Sequence, residues 1–556
     1  MMLQGRTVFH KLWYFLQTYI LTLKRFDLFL QGTLLIVILL ESNVYLLLKR
    51  DADQGYSTPL IESWVQIAAG VIECVLGVVL AWWGSGRRQF ALTGWLGASA
   101  TAGLLVLAFP FAYSNPANVE LCGGEPAFRS INPRDENVTP RTGILVLTAL
   151  LCALTKVSIW AHGLTYLDDH DPTNGPYFYG ILISIRLSLG LSGTNWFRPS
   201  SVRDDWWEGQ LSASMLTMMF AILFTFFPTK MPQWQEEEVT VDTDFLPSLY
   251  RVINNRIVVI QSVALSLLTT AIFCYVEYDH AYVQARFHVE ALRQDLRTSR
   301  FLSDFFRSLV VIFFIMIFRV RFSARRPDGV KANTAARVGG VVAVFVAIFF
   351  VVLASLGCDT GTLAGLDEEY VQPECSQQCG CNSARYGFSP VCGLDTLTTY
   401  FSPCHAGCRA VEDLNGFSLY ADCTCGAQRA ALGACALSTC SVPFSIYQIF
   451  YTIILAVSGA SFLMQGMVLV RAVRRVDKPI AIGFSFALVA LLSFVVGRLL
   501  YMLISYLTCA YSSGGVCVLH RPTLWAMCAT SSAMALGSAV VSLIASKTPL
   551  EPTTEL

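Results

Sequence analysis

Residues 337–357 read RVGGVVAVFVAIFFVVLASLG and run directly into Cys358. One charge, Arg337, opens the stretch, and every later residue is apolar or small. A helix rises about 1.5 Å per residue, so this length crosses a hydrocarbon core of about 30 Å. The continuation is of another kind. Between Cys358 and Cys440 lie 11 of the 18 cysteines of the chain, and no lysine. A membrane helix therefore opens onto a cysteine-dense segment too small to hold itself together by an apolar core alone.

Moving outward, the same windows recur. They predict spans near 27–48, 60–83, 90–113, 142–163, 177–194 and 210–228. A polar stretch at 229–252 follows, with Glu236, Glu237 and Glu238 in a row. The remaining spans fall near 255–275, 301–320, 337–357, 444–470, 479–507 and 523–546. Composition agrees: 54% of residues are hydrophobic, 14% are charged, and the mean hydropathy is +0.53. A soluble chain carries roughly a quarter charged residues, so much of this surface must face lipid. A net charge of +0 gives no reason to expect a nucleic-acid partner.

Basic loops set the orientation. Arg87 and Arg88 follow the second span, Arg319 to Lys331 follow the eighth, and Arg471 to Lys478 follow the tenth. Twelve spans put all three on one side with the basic N-terminus, which the positive-inside rule makes cytoplasmic. The first span is expected to direct insertion, because residues 1–25 show no small-residue cleavage site. The expected division is an N-terminal cytoplasmic segment 1–26, a six-helix half 27–228, a connector 229–254, and a second half in two parts, 255–357 and 444–546. The cysteine-rich domain occupies 358–443 and a cytoplasmic tail occupies 547–556. The sequon at Asn137 then lies outside, as a glycosylation candidate. Six helices, a connector and six more suggest two halves that rock about a central site.

The cysteine segment carries a specific pattern. Residues 375–408 read CSQQCGCNSARYGFSPVCGLDTLTTYFSPCHAGC, and Cys423-Thr424-Cys425, Cys435 and Cys440 follow. Zinc fits poorly, because the spacings are irregular and only His405 accompanies the cysteines. Pro390-Val391-Cys392-Gly393, Thr399-Tyr400 and Ser402-Pro403-Cys404 resemble a Kazal-type module. The Cys-x-Cys-Asn before that core and the Ser-Pro-Cys-x-Ala-Gly-Cys within it resemble the loop of the organic anion transporting polypeptides. Gly163-Leu-Thr-Tyr166-Leu-Asp168-Asp169, Gly84-Ser-Gly-Arg87-Arg88 and Lys478-Pro479 are similar to further motifs of that family. Cys509 and Cys517 match its pair in the last extracellular loop. The family's tryptophan motif before the sixth span survives only as Trp206, Trp207, Gly209 and Leu211, which marks a divergent member.

The resemblance implies an all-α membrane protein of the major facilitator fold, with twelve helices in two halves and a small Kazal-like extracellular domain. It implies sodium-independent secondary transport of amphipathic organic anions at the plasma membrane, with a counter-anion as a further partner. By analogy with Kazal modules it also implies disulfides from Cys392 to Cys423 or Cys425, Cys381 to Cys404, and Cys408 to Cys375 or Cys379. Cys358 is then left over, free or paired with Cys122. The alternative function is a receptor or adhesion protein that uses the module without transport. No nucleotide loop, serine-hydrolase elbow or zinc-protease motif is present, so neither an enzyme nor a cofactor is expected.

A charge inside a span costs about 2.5–3.5 kcal/mol, so each is a candidate for function. Substrate-binding candidates are Arg498, Lys156, His162, Arg186, Glu73 and Glu41. Their structural readings are plain: Arg498 paired within its bundle, Lys156 paired with Glu73, Arg186 neutralising a nearby carboxylate, and His162 bonded to a neighbouring helix rather than sensing pH. Asp168 and Asp169, at a helix end, suit gating.

Overall fold

The computed structural model describes residues 21–53, 57–58, 60–109, 120–123, 138–188, 206–229, 244–287, 296–323, 331–358, 363–367, 369–414, 417–426, 428–435, 437–513 and 516–549. The sequon Asn137, the acidic run at 236–238 and residues 199–205 of the tryptophan motif lie outside them.

Twelve long helices run through the described residues. We number them α1 (Leu23–Asp53), α2 (Ile61–Trp83), α3 (Arg88–Leu105), α4 (Pro140–His170), α5 (Gly175–Ser188), α6 (Trp206–Thr225), α7 (Arg256–Phe287), α8 (Leu296–Ser323), α9 (Ala332–Ser355), α10 (Leu437–Arg471), α11 (Arg475–Leu507) and α12 (Ala526–Ala545). Nine of these positions, all but α5, α6 and α8, are long and apolar enough to cross a bilayer by composition alone. A short amphipathic helix, Phe245–Asn254, joins the halves ahead of α7.

Two helices run well past their expected C-terminal ends. Hydropathy predicts the fourth span at 142–163 and the seventh at 255–275, yet α4 runs to His170 and α7 to Phe287. Hydropathy falls where Asp168, Asp169, Glu277 and Asp279 enter, but the helices continue because other helices supply partners for those charges. Within α4, α7 and α11 the backbone widens into π-helical segments at Ile159–Leu164, Thr270–Cys274 and Ala490–Gly497. Such segments are rare and cluster at functional sites.

The halves meet closely between α2 and α11. A Cβ on Gly483 would come within 3.0 Å of the Gly77 carbonyl oxygen, so glycine is what allows this approach of two backbones. Small residues serve helix contacts in lipid this way.

The module between α9 and α10 holds a five-stranded antiparallel sheet, β1 (Val391–Gly393), β2 (Thr399–Tyr400), β3 (Ala410–Leu414), β4 (Phe417–Ala421) and β5 (Arg429–Leu432), in the order β2-β1-β5-β4-β3. Its small core comprises Val391, Tyr400, Ala406, Tyr420 and Ala430. A hairpin of β6 (Cys509–Ser513) and β7 (Val516–His520), closed by Cys509–Cys517, packs on it through Phe388, Phe401, Ala510 and Leu519.

The disulfides correct several of the expected pairs. Cys381 does bond Cys404. Cys392 bonds Cys435 rather than Cys423 or Cys425, because β1 pairs with β5 and brings the residues beside each strand together. Cys408 bonds Cys423 rather than Cys375 or Cys379, because β3 and β4 form a hairpin and these two cysteines flank it. Cys375 bonds Cys425. Cys358 is neither free nor joined to Cys122; it bonds Cys440 and so ties the end of α9 to the start of α10. Cys122, from the segment between α3 and α4, bonds Cys379. The module is thus linked covalently to both halves of the molecule.

Candidate functional site

Charges inside the bundle pair within each half at mid-height. On α4, the Lys156 ammonium donates to both carboxylate oxygens of Glu41 on α1, at 2.6 and 2.8 Å. Arg186 on α5 stands 4.0 Å from the same carboxylate. The expected pairing of Lys156 with Glu73 is therefore corrected: Glu41 occupies the lysine, and Glu73 on α2 makes no ion pair among the described residues. Glu73 is buried within electrostatic reach of Lys156 and Arg186.

In the second half, Arg498 on α11 donates to Glu277 on α7 at 2.5 Å. The two π segments build this pair. Thr270 and Ser493 face each other with their hydroxyls 2.9 Å apart, and Ser493 also donates to the Ser266 carbonyl at 2.9 Å. The Cys274 thiol donates to the Ser493 carbonyl at 3.4 Å. Serine and threonine hydroxyls thus satisfy backbone carbonyls inside the bundle. Arg498 directly follows one segment and Glu277 stands three residues past the other. Tyr45 on α1 is buried within electrostatic reach of both Glu41 and Arg498.

Aromatic side chains fill the space where the halves face one another. The Arg186 guanidinium lies 5.3 Å from the Phe273 ring centre on α7, a cation–π distance. Phe273 packs against Phe462 and Phe494, both at 6.4 Å. Trp160 on α4 reaches Phe486 on α11 at 5.9 Å. Large apolar walls with a few charged groups suit an amphipathic ligand.

Charges also join the halves at one end of the bundle. Lys478 on α11 donates to Asp168 at 2.5 Å and to Asp169 at 3.0 Å, both on α4. Arg471 at the end of α10 stands 3.2 Å from Asp168. Arg88 on α3 donates to Asp169 at 2.7 Å. Both aspartates and Lys478 are buried. This end is closed by a cluster of alternating sign in which each half supplies charge to the other.

Other predicted residues take supporting positions. His162 is fully buried, and its Nε2 lies 3.2 Å from the Leu80 carbonyl oxygen on α2. Gly163 packs against Leu30. Tyr166 packs against Phe26, ring centres 4.4 Å apart, and donates to the Pro228 carbonyl at 2.9 Å. Trp206 is buried beside Val44 and Leu48, whereas Trp207 is exposed on the outer face. Gly209 lies between them and Gln210, which bonds Asn43 at 2.7 Å and the Gly103 carbonyl at 3.0 Å. In the module, His405 lies between Ser402 at 2.8 Å and Ser383 at 3.3 Å, and burial pushes it down to about 4. Glu120 accepts from the Asn382 backbone beside the Cys122 bridge; burial raises its carboxyl above the usual range.

The sequence reading missed Glu277, Arg307, Arg471 and Lys478 as site residues. Arg307 on α8 lies 4.9 Å from the Tyr451 ring centre and donates to Thr452 at 3.3 Å. The signal for Glu277 is a charge just past the apolar window at 255–275, where falling hydropathy reads as a loop. Lys478 and Arg88 stood in recognised motifs without a role.

Residues 200–521 match the Organic Anion Transporter Polypeptide (OATP) family. Among curated relatives, mouse "solute carrier organic anion transporter family member 2B1" is 25% identical over 427 residues, which is 64% of this chain and 62% of that relative. Mouse member 6C1 is 23% identical over 521 residues, 80% of this chain and 70% of its own. Human member 2B1 is 22% identical over 564 residues, covering 82% and 77%. The chain thus spans less than two thirds of the first of these relatives. In three dimensions the protein is similar to the major facilitator proton:xylose symporter XylE, with TM-score 0.51, 12% identity, and 93% and 95% of the two chains covered. A bacterial homologue of the iron transporter ferroportin gives TM-score 0.51 at 10% identity, over 93% and 99%. The fold is that of the major facilitator transporters.

Proposed function

The chain belongs to the Organic Anion Transporter Polypeptide family, and from that premise we propose that it is a sodium-independent secondary transporter of amphipathic organic anions across the plasma membrane. Bile acids, steroid conjugates and eicosanoids are the cargo class, and exchange with an intracellular counter-anion or entry down a gradient drives the step. The termini and the Asp168–Lys478 end lie in the cytoplasm, and the cysteine module lies outside.

The single observation that carries this reading is the division of charge between the halves. Within each half a cation is neutralised by a carboxylate, Lys156 by Glu41 and Arg498 by Glu277. The halves touch each other by reversible contacts at mid-height and at the gate. An anionic head entering between the pairs competes with Glu41 and Glu277 for their cations, while Trp160, Phe273 and Phe486 receive the apolar body. Rocking then requires the gate charges to separate and the extracellular side to approach. A ligand shifts that equilibrium by as much as its affinities for the two states differ.

Uptake of a labelled sulfated steroid and of a bile acid into expressing cells, with and without sodium, tests the proposal. Saturable uptake that is unchanged without sodium is expected. Arg498→Ala should lower it at least tenfold with surface expression intact. No uptake of either compound or of other organic anions by surface-localised protein would favour a binding protein that does not transport.

A further inference from the structure

The helix Phe245–Asn254 presents two unlike faces. Leu246, Tyr250 and Ile253, at positions i, i+4 and i+7, form one stripe, and they are 73%, 69% and 47% exposed. The opposite face is held against the protein. Ser248 and Val252 are buried, and the Phe245 ring lies 5.5 Å from Trp82 at the end of α2.

The position of the helix identifies what covers that stripe. Only Asn255 separates it from the span α7. Asn255 fixes the corner: its side chain accepts from the Val258 backbone at 3.4 Å and donates to the Ala472 carbonyl at 2.7 Å. The helix therefore sits where a spanning helix enters the bilayer. Trp83, 69% exposed beside Trp82, marks the same level on α2, and tryptophan favours the membrane–water boundary. Arg256 is exposed at the corner, which suits lipid phosphate. A helix with an apolar stripe at this level lies in the plane of the interface.

The protein-facing side leads to the gate. Arg251 clamps Asp477 with two bonds, Nε to Oδ2 at 3.0 Å and Nη2 to Oδ1 at 2.7 Å, and also bonds Ser248 at 2.8 Å. Asp477 immediately precedes Lys478, which holds Asp168 and Asp169. The Arg251–Asp477 bonds, the Asp477–Lys478 peptide link and the Lys478 ion pairs thus connect the helix to the charges that close this end.

We propose that Phe245–Asn254 is a membrane-surface helix whose Leu246–Tyr250–Ile253 stripe lies in the phospholipid leaflet at the gate end, and that this anchorage holds Asp477, and through it Lys478, in the closed gate. The partner is the lipid surface. The inference is independent of cargo.

The test uses the full chain in phosphatidylcholine nanodiscs with Cys74→Ser as background. An environment-sensitive fluorophore is attached singly at Leu246→Cys, Tyr250→Cys, Ile253→Cys and, as control, Asp244→Cys. Shallow brominated phosphatidylcholine should quench the three stripe positions at least twofold more than position 244, and aqueous iodide should show the reverse order. Equal iodide quenching at all four positions overturns the membrane placement. For the gate, Ile480→Cys, buried at the start of α11, is challenged with a water-soluble maleimide. Its labelling should rise at least fivefold when Arg251→Ala or the pair Leu246→Glu and Tyr250→Glu is added. Unchanged labelling in both variants, with lipid quenching as expected, overturns the link to the gate.

Discussion

The two ends of the bundle hold its halves together by opposite chemistry. At the charged end, Arg88, Asp168, Asp169, Arg471 and Lys478 make ionic contacts whose separation needs no covalent change. At the module end, Cys122 of the first half is covalently bonded to Cys379 of the module, which both α9 and α10 carry. The contrast teaches that the proposed alternating cycle would need unlike openings at its two ends: ion pairs can part, whereas the module end would open around a fixed link.

Breaking the charged end should have the largest effect. Lys478→Asp leaves two buried aspartates facing a third carboxylate, and the loss of a buried pair costs about 3–5 kcal/mol. Transport should fall more than tenfold and thermal stability should drop; adding Asp168→Lys should restore part of both, as a double-mutant cycle of uptake and thermal unfolding can measure. The covalent end is sharpened by cutting the chain between residues 230 and 243 with an inserted protease site. The halves should then migrate together on a non-reducing gel and apart after reduction, and Cys122→Ser with Cys379→Ser should separate them under both conditions. Removing this bridge should also lower stability by about 2–4 kcal/mol.

Acid probes the module end. Burial holds His405 and His520 at about 4, whereas the unfolded residues titrate near 6.5. Between those values the unfolded state binds protons that the folded state refuses, so stability rises with pH there. Unfolding followed by tyrosine fluorescence should show the module weakening as pH falls from 6.5 toward 4, by at most about 3 kcal/mol per histidine. The substitution His405→Phe should flatten the share of that slope that His405 contributes. The smallest effect is expected between the ends. Phe273→Leu removes the Arg186 cation–π contact, worth about 1 kcal/mol, and should change apparent affinity by about fivefold in uptake kinetics.

Much of this architecture was legible in the residues. Uniform apolar windows gave the span positions, and the run from Cys375 to Cys408 gave the module and the family. What failed was decided by packing. The pairing of Cys392 with Cys435 depends on which strand lies beside β1, a choice with no local signal. Lys156 pairs with Glu41 instead of Glu73 because of helix rotation, and hydropathy carries no rotation. Glu277 escaped notice because its charge lowered the hydropathy of the very turn that its partner Arg498 stabilises.

The π segments carry a consequence for how this chain tolerates change. Each adds backbone relative to a regular helix, and every residue beyond it shifts in phase by about 100° per added residue. Arg498 and Glu277 owe their meeting to that phase, since they stand just past Ala490–Gly497 and Thr270–Cys274. Deleting a single apolar residue from 490–497 would leave a span long enough for the bilayer, with its hydropathy hardly altered. It would nevertheless turn Arg498 away from Glu277. Length variation by one residue, which inspection of side-chain chemistry overlooks, is therefore a direct route by which this pair could be lost while the fold persists.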